Sequence, residues 1–263
     1  MSIYHKTIGE GVPIVMLHGW TVDHRVMQHA MEPLFEKQDG WKRIYIDLPG
    51  MGQSEPLPSI RNSDDMLEAV LQLLDEIIPE ETFAVCGYSY GGYLARGVAY
   101  SRPGRVRGLM LLAPVAIAES AGRTLPQHAV LKKDSSLISS LSPEEAEEFC
   151  SVGVVQGEGE WERFQKEVLL PSRLANAEFL ERIQNNGYGF SFDITTRLDH
   201  PALIITGRQD HITGYRDTWE LIEDYPRAAF AVLDMAGHNL QIEQADVFNV
   251  LVEEWLNRLE EKS

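Results

Sequence analysis

One stretch of this chain reads Val85-Cys86-Gly87-Tyr88-Ser89-Tyr90-Gly91-Gly92-Tyr93-Leu94-Ala95 and is more informative about the architecture than any other. An apolar run with strand character, residues 82–86, leads into it, and a helix-compatible run, residues 93–100, leaves it. The pattern Gly-x-Ser-x-Gly between them holds a serine on a sharp turn from strand to helix. Side chains in place of the two glycines would collide with the neighbouring strand and helix. The stretch therefore predicts that the Ser89 hydroxyl projects above the carboxyl edge of a parallel sheet, at a helix N-terminus that favours negative charge.

Length and charge limit the class of protein. The 263 residues suffice for one large α/β domain or for a core domain with an insertion. The formal net charge of -17 argues against nucleic acids and anionic membranes as partners, because both repel an acidic surface. The longest apolar run, residues 109–118, contains Pro114 and is too short to span a bilayer.

The cysteines and the first residues indicate a compartment. Cys86 and Cys150 give neither a disulfide framework nor a metal-ligand spacing, so we expect no metal site and a reducing environment. The chain opens without a basic segment followed by an apolar one, which is typical of proteins without a secretory signal. We therefore expect a cytoplasmic protein.

Strand and helix patterns alternate through the first 114 residues and again from residue 202. Near-continuous apolar runs predict strands buried on both faces, at residues 12–17, 42–46, 82–86, 106–113, 202–206 and 229–233. Runs with helical spacing separate most of them, which indicates parallel βαβ units. Residues 3–8 and the turn signal Gly9-Glu10-Gly11 predict an opening β-hairpin.

The pattern changes after Pro114, where we find no strong strand and several helix signals. Ser142-Pro143-Glu144-Glu145 is a capping box with proline at the first helical position. Helical spacing follows at residues 161–170 and 172–186. We therefore expect an α/β core formed by residues 1–114 and 197–263, with a helical insertion at residues 115–196.

Ser89 needs a base to accept its proton and a carboxylate to orient that base. On a doubly wound sheet, both should follow the carboxyl ends of strands. Asp210 lies four residues past the strand that ends at Thr206, and His238 follows the last predicted strand. The remaining candidate histidines fit less well, because they adjoin Asp210, precede a strand or lie far from any strand end: His211, His200, His5, His29 and His128. Ser89, Asp210 and His238 are therefore the candidate catalytic residues.

Five motifs resemble those of α/β-hydrolase-fold enzymes and occur in the family's order: His18-Gly19-Trp20, Asp47-Leu48-Pro49-Gly50-Met51-Gly52-Gln53-Ser54, Gly87-Tyr88-Ser89-Tyr90-Gly91-Gly92, Gly207-Arg208-Gln209-Asp210 and Gly237-His238. The resemblance covers the whole chain. It implies an α/β-hydrolase fold, with a mostly parallel central sheet, helices on both faces and a helical cap at residues 115–196 above the nucleophile.

The resemblance also implies a role for each matching residue. Ser89 is the implied nucleophile, His238 the base and Asp210 the orienting acid. The backbone N–H groups of Trp20 and Tyr90 are the implied oxyanion hole. For His18 and Asp47, which match loop positions of the family, we expect structural roles.

Departures from related families narrow the reaction. Serine at position 89 does not match epoxide hydrolases or haloalkane dehalogenases, whose pattern has aspartate there, and the short loop at His18 differs from that of prolyl iminopeptidases. The aromatic candidates for substrate contact are Tyr88 beside the nucleophile and four residues of the predicted cap, Trp161, Phe164, Phe179 and Phe190. For each of the four, packing between cap and core is an alternative role.

We expect a serine hydrolase that cleaves small to medium esters or thioesters through an acyl-enzyme on Ser89, with a small-molecule substrate and no metal or organic cofactor. One alternative is a carbon–carbon bond hydrolase or perhydrolase-like enzyme with the same triad. A second alternative is a ligand-binding, receptor-like protein with little turnover. The residues do not predict an oligomeric state.

Overall fold

The computed structural model describes residues 3–195 and 197–260. Strands and helices alternate along the first part of the chain. The strands are β1 (His5–Ile8), β2 (Val12–Leu17), β3 (Trp41–Ile46), β4 (Phe83–Tyr88) and β5 (Val106–Leu112). The helices are α1 (His24–Phe35), α2 (Ser63–Ile77) and α3 (Tyr90–Ser101). Asp23 and Asn62 fix the starts of α1 and α2, because their side chains accept backbone N–H groups of the first helical turn.

The part of the chain between β5 and the next core strand is mainly helical, and we call residues 115–195 the inserted segment. Its helices are α4 (Ser135–Ser140), α5 (Pro143–Val152), α6 (Glu158–Phe164), α7 (Leu170–Ser172) and α8 (Ala177–Gly187), with a π-helical turn (Gln165–Leu169) between α6 and α7. Two short strands, β6 (Lys132–Lys133) and β7 (Val155–Gln156), form a parallel pair. Thr196, the predicted end of the insertion, lies outside the described residues.

Local signals set the helix starts in the inserted segment. The predicted capping box is present at α5, where Ser142 and Glu145 each accept the other's backbone N–H. The helix predicted over residues 172–186 begins later, at Ala177, because the side chain of Asn176 accepts the N–H of Phe179 and caps the helix there.

The last part of the chain restores the α/β alternation. It consists of β8 (Ala202–Gly207), α9 (Arg216–Trp219), a 3₁₀ turn (Glu220–Asp224), β9 (Ala228–Leu233), α10 (Leu240–Glu243) and α11 (Ala245–Glu260). Among the residues that the structure describes, no helix combines the length and the apolar character needed to cross a bilayer.

The core sheet has seven strands in the order β1-β3-β2-β4-β5-β8-β9. Every neighbouring pair is parallel except β1 with β3, so the mostly parallel sheet of the α/β-hydrolase fold is confirmed. The predicted opening hairpin is wrong, because β1 pairs with β3 and not with β2. The apolar β2 is bonded on both sides by β3 and β4, whereas the half-exposed β1 suits the edge of the sheet.

Helices cover both faces of the sheet. On one face, Val15 and Leu17 of β2 pack with apolar residues of α2 and α3. On the other face, Ile14 and Met16 pack with residues of α1 and α11. Burial on both faces explains why the core strands are apolar at nearly every position. Because β5 and β8 are neighbours, the inserted segment leaves and rejoins the sheet at adjacent strands.

Candidate active site

Ser89 occupies the turn between β4 and α3 with backbone angles φ +54° and ψ −116°. This left-handed region is strained for a residue with a side chain. Neighbouring glycines make the turn sterically possible, because a Cβ on Gly87 would overlap the carbonyl of Gly91 and a Cβ on Gly91 would overlap the carbonyl of Leu17. The Ser89 N–H donates to the Leu112 carbonyl of β5 at 2.9 Å, which fixes the turn at the carboxyl edge of the sheet.

His238 links Ser89 to Asp210. Its Nε2 lies 2.9 Å from Ser89 Oγ, and its Nδ1 lies 3.0 Å from Asp210 Oδ2. Because the carboxylate accepts a proton donor at Nδ1, Nε2 is left as the acceptor for the Ser89 hydroxyl proton. The structure thus brings together the three candidate catalytic residues in one hydrogen-bonded chain.

Asp210 is fully buried behind the histidine. Its Oδ1 accepts the N–H groups of Ile212 and Thr213, and its Oδ2 accepts the Thr213 hydroxyl at 2.7 Å in addition to His238. Burial acts to raise the pKa of Asp210, but the charge of His238 and the hydrogen bonds from His238 and Thr213 lower it to about 2. The carboxylate therefore stays ionised at neutral pH.

The loop that contains Trp20 lies directly beside the nucleophile. A Cβ on Gly19 would sit 3.1 Å from Ser89 Cβ, so this loop approaches the serine at van der Waals contact. Among the hydrogen bonds of the described residues, none uses the backbone N–H of Trp20 or of Tyr90. Both N–H groups are therefore available to a ligand, as the predicted oxyanion hole requires.

His18 holds this loop from behind. Its buried ring donates from Nδ1 to the Gly19 carbonyl at 2.7 Å, and its Nε2 accepts the Leu48 N–H at 2.9 Å. Burial lowers the pKa of His18, so the ring is neutral, as these two hydrogen bonds require. The contacts fit the structural role expected for His18.

Asp47 forms a second buried network with His24 and Asp23. This cluster is the one group of potential metal ligands within residues 3–195 and 197–260. Asp47 already accepts the backbone N–H and the ring Nδ1–H of His24 and the N–H of Gln53, and Asp23 is paired with Arg25. These bonds occupy the ligand atoms, so the cluster stabilises the loop after β3 and does not fit a metal centre.

A cavity of about 520 Å³ opens above Ser89 and His238. Core residues line its floor, among them Trp20 and Tyr88, both predicted at the site. The inserted segment supplies much of the remaining wall, including Val152, Phe164, Val168 and Tyr188. The predicted contact Phe164 therefore faces the same cavity as the nucleophile.

Trp161, Phe179 and Phe190 do not line this cavity. Trp161 packs edge-on against Phe149, Phe179 is buried in the core cluster of α2 and α3, and Phe190 stacks on Tyr93 with ring centroids 4.2 Å apart. The substrate contact expected of these three rings has no support in their placement. Each of the three rings instead fits the alternative role expected for it, which is packing within the protein interior.

Tyr88 and Asn239 form a polar pair at the cavity floor. The Tyr88 hydroxyl donates to Asn239 Oδ1 at 3.0 Å, and its ring lies 5.1 Å from the His238 ring. Burial raises the pKa of Tyr88, so the phenol stays protonated and remains a donor. Asn239 was not predicted, although its place directly after His238 in the sequence was a usable signal. Val152, Val168 and Tyr188 had no such signal, because only tertiary folding places them at the cavity.

The comparisons with known proteins agree with this geometry. Residues 12–245 match the α/β hydrolase fold family. The chain is 28% identical to a pimeloyl-[acyl-carrier protein] methyl ester esterase of Shewanella woodyi, with 98% of each chain covered. It is 26% identical to 2-hydroxy-6-oxononadienedioate/2-hydroxy-6-oxononatrienedioate hydrolase 2 of Pseudomonas putida, over 97% of this chain and 92% of that one. The crystal structure of an alpha/beta superfamily hydrolase from Oenococcus oeni superposes with a TM-score of 0.90 at 30% identity, with 98% and 99% of the two chains covered.

Proposed function

The chain belongs to the α/β hydrolase fold family and is a serine hydrolase of the esterase type, and from this premise we propose that it cleaves small to medium carboxylic esters through an acyl-enzyme on Ser89. One observation carries the proposal, the unbroken hydrogen-bonded chain from Ser89 Oγ through His238 to Asp210. Ser89, Asp210 and His238 each follow a different strand at the carboxyl edge of the sheet.

In the proposed acylation step, Ser89 Oγ attacks the ester carbonyl carbon while His238 Nε2 takes the hydroxyl proton. The negative charge that develops on the carbonyl oxygen is stabilised by the N–H groups of Trp20 and Tyr90. The ionised Asp210 stabilises the imidazolium. Collapse of the intermediate breaks the bond to the alcohol, which leaves with the proton from His238.

Deacylation repeats the same steps with water as the nucleophile. His238 Nε2 removes a proton from the water, and the hydroxide attacks the acyl carbon on Ser89. When the second intermediate collapses, His238 returns a proton to Ser89 Oγ and the carboxylic acid is released. The proposed cycle uses water, the side chains of Ser89, His238 and Asp210, and the backbone N–H groups of Trp20 and Tyr90.

We propose that the inserted segment is a cap that selects the substrate. It is tied to the nucleophile by its first residue, because the N–H of Val115 donates to the Ser89 carbonyl at 3.1 Å. Its side chains form much of the cavity wall, both apolar ones such as Val152 and Phe164 and polar ones such as Arg123 and Gln184. The cavity volume lies within the range typical of small-molecule sites, which supports an ester of modest size.

A second candidate is hydrolysis of a carbon–carbon bond next to a ketone. The similarity to the Pseudomonas putida hydrolase favours it, since it spans both the core and the inserted segment. Attack on a ketone carbonyl would use the same three residues and the same N–H groups. The two reactions differ in the leaving group, a carbanion equivalent in place of an alkoxide.

Both cysteines are free thiols, with Cys86 buried. Free thiols persist in a reducing compartment, and this supports a cytoplasmic location.

A hydrolysis screen over p-nitrophenyl esters of increasing chain length tests the proposed function. We expect turnover of short and medium acyl chains by the wild type and none above background by Ser89→Ala. A fluorophosphonate probe should label the wild type and not the variant. If a vinylogous 1,5-diketone acid is cleaved and all esters are left intact, the carbon–carbon reaction is correct. If neither substrate nor probe reacts, the proposed acyl-enzyme on Ser89 is wrong, and the result favours the receptor-like alternative.

A further inference from the structure

Glu243 is a buried carboxylate that the proposed mechanism does not use. It ends helix α10 and is 8% exposed. Its Oε2 accepts the N–H of Gly237 at 2.6 Å. Its Oε1 accepts the N–H groups of Val154 and Val155 at 2.6 and 3.2 Å. One side chain thus joins two separate stretches of backbone.

These hydrogen bonds fit the ionised form of Glu243. Every partner of its two oxygens among the described residues is an N–H donor, whereas a protonated carboxyl group would need an acceptor for its own proton. Burial and the charge of Asp210 raise the pKa of Glu243, and the three backbone N–H groups oppose that rise. Charge-assisted hydrogen bonds of this kind are stronger than those between neutral groups.

The two stretches that Glu243 joins belong to different parts of the site. Gly237 immediately precedes His238, and Val154 lies between α5 and β7 in the inserted segment. They are also in direct contact, because a Cβ on Gly237 would sit 2.9 Å from Val154 Cγ2 and 3.3 Å from the Val152 carbonyl. Val152 itself lines the cavity. Movement of the inserted segment at this point would therefore displace the histidine loop.

We propose that Glu243 is a positioning residue that holds the His238 loop against the cavity wall. This inference rests on the proposed function, since it assumes that His238 is the base. One side chain then fixes the position of the inserted segment relative to His238.

The test compares Glu243→Gln with Glu147→Gln, which removes the same charge from an exposed site on α5. The KM of Glu243→Gln for p-nitrophenyl acetate should stay within about twofold of the wild type, because Glu243 does not line the cavity. Its kcat should fall roughly tenfold, with a larger loss for long-chain esters than for p-nitrophenyl acetate. Glu147→Gln should match the wild type. A folded Glu243→Gln protein with an unchanged kcat and an unchanged chain-length ranking would overturn the proposal.

A measurement on the wild type keeps the test decisive if Glu243→Gln does not fold. The amide resonances of Gly237, Val154 and Val155 should titrate together, with one midpoint, when Glu243 is protonated. Independent midpoints would overturn the proposal. The proposed function is tested by a different experiment. It is wrong if the wild type neither hydrolyses esters nor reacts with the fluorophosphonate probe, and this outcome does not change the titration of the three amide resonances.

Discussion

His238 Nε2 lies 2.9 Å from Ser89 Oγ, although the two residues are 149 positions apart in the chain. The sheet order explains the contact. Ser89 follows β4 and His238 follows β9, while Asp210 follows β8, which lies between β9 and β5. Because β4, β5, β8 and β9 are parallel, their carboxyl ends meet at one edge, and three distant loops converge there.

Loss of either reacting residue should abolish most of the activity. Ser89→Ala and His238→Ala should each lower kcat by a factor on the order of 10⁴ to 10⁶, and the double variant should be little worse, because the residues act as a unit. Asp210→Asn should cost less, up to about 10⁴, through the wrong imidazole tautomer. Steady-state kinetics with one activated ester checks all three. Near-normal activity of Asp210→Asn would assign the orienting role to another carboxylate.

The pH dependence of activity should have a single-proton acid limb. Asp210 has a pKa of about 2 and stays ionised along this limb, so the limb should report the protonation of one histidine, which removes the acceptor for the Ser89 proton. A pH–rate profile that is flat down to about pH 4 would show that no histidine acts as the base.

Asp210 should also contribute to acid stability. Its pKa is depressed from 3.8 to about 2 in the folded protein, so its stabilising effect is present above about pH 4 and is lost as the pH falls towards 2. The difference corresponds to roughly 2 kcal/mol. The gap in unfolding free energy between the wild type and Asp210→Asn should shrink by about this amount from pH 5 to pH 2. A gap that stays constant in chemical denaturation would contradict the assignment.

Phe164 and Phe179 form a matched pair of aromatic residues in the inserted segment, since only Phe164 lines the cavity. Phe164→Ala should reduce the preference for longer acyl chains by about tenfold while p-nitrophenyl acetate is still hydrolysed, because apolar wall area is lost. Phe179→Ala should instead lower the unfolding free energy by about 3 kcal/mol and leave the chain-length ranking unchanged. If Phe179→Ala changes the chain-length ranking and Phe164→Ala does not, the substrate binds beside Phe179 and not in the cavity above Ser89.

The strained backbone of Ser89 predicts a conflict between stability and activity. Ser89→Gly and Ser89→Ala both remove the nucleophile, but only glycine adopts φ +54° and ψ −116° without strain. We expect Ser89→Gly to be more stable than Ser89→Ala by about 1 kcal/mol, after allowance for the entropy of glycine in the unfolded chain. Thermal unfolding of the two inactive variants measures the difference directly. Equal stabilities would mean that the turn is not strained.

The sequence predicts the sheet, and the convergence of Ser89, Asp210 and His238 at its edge, because both depend on local patterns. Runs such as residues 12–17 are apolar at nearly every position, and Asp210 and His238 each follow such a run. The antiparallel pairing of β1 with β3 was not predictable in this way, since the turn at Gly9 fits a hairpin equally well. Edge pairing depends on which strand is already bonded on both sides, and no local signal carries that information.

The cavity wall was the least predictable part. Phe164 and Phe179 have the same helical spacing, and periodicity identifies a buried face without saying whether that face meets the core or a cavity. Glu243 was missed for a related reason. A carboxylate at the end of a short helix usually points to water, and only the folded backbone of Gly237 and Val154 gives it three donors.

The attachment of the inserted segment to the neighbouring strands β5 and β8 has a consequence for protein engineering. Leu112, the last residue of β5, pairs with Ile205 of the parallel strand β8, whereas the chain re-enters the sheet at Ala202, the first residue of β8. A grafted segment must therefore cross from the carboxyl edge of the sheet back to its amino edge, and we expect any segment that does so to leave strand order and register unchanged. Chimeras that exchange this cassette between related hydrolases should keep the reactive serine and inherit the substrate range of the donor, provided that the donor supplies N–H groups to Glu243.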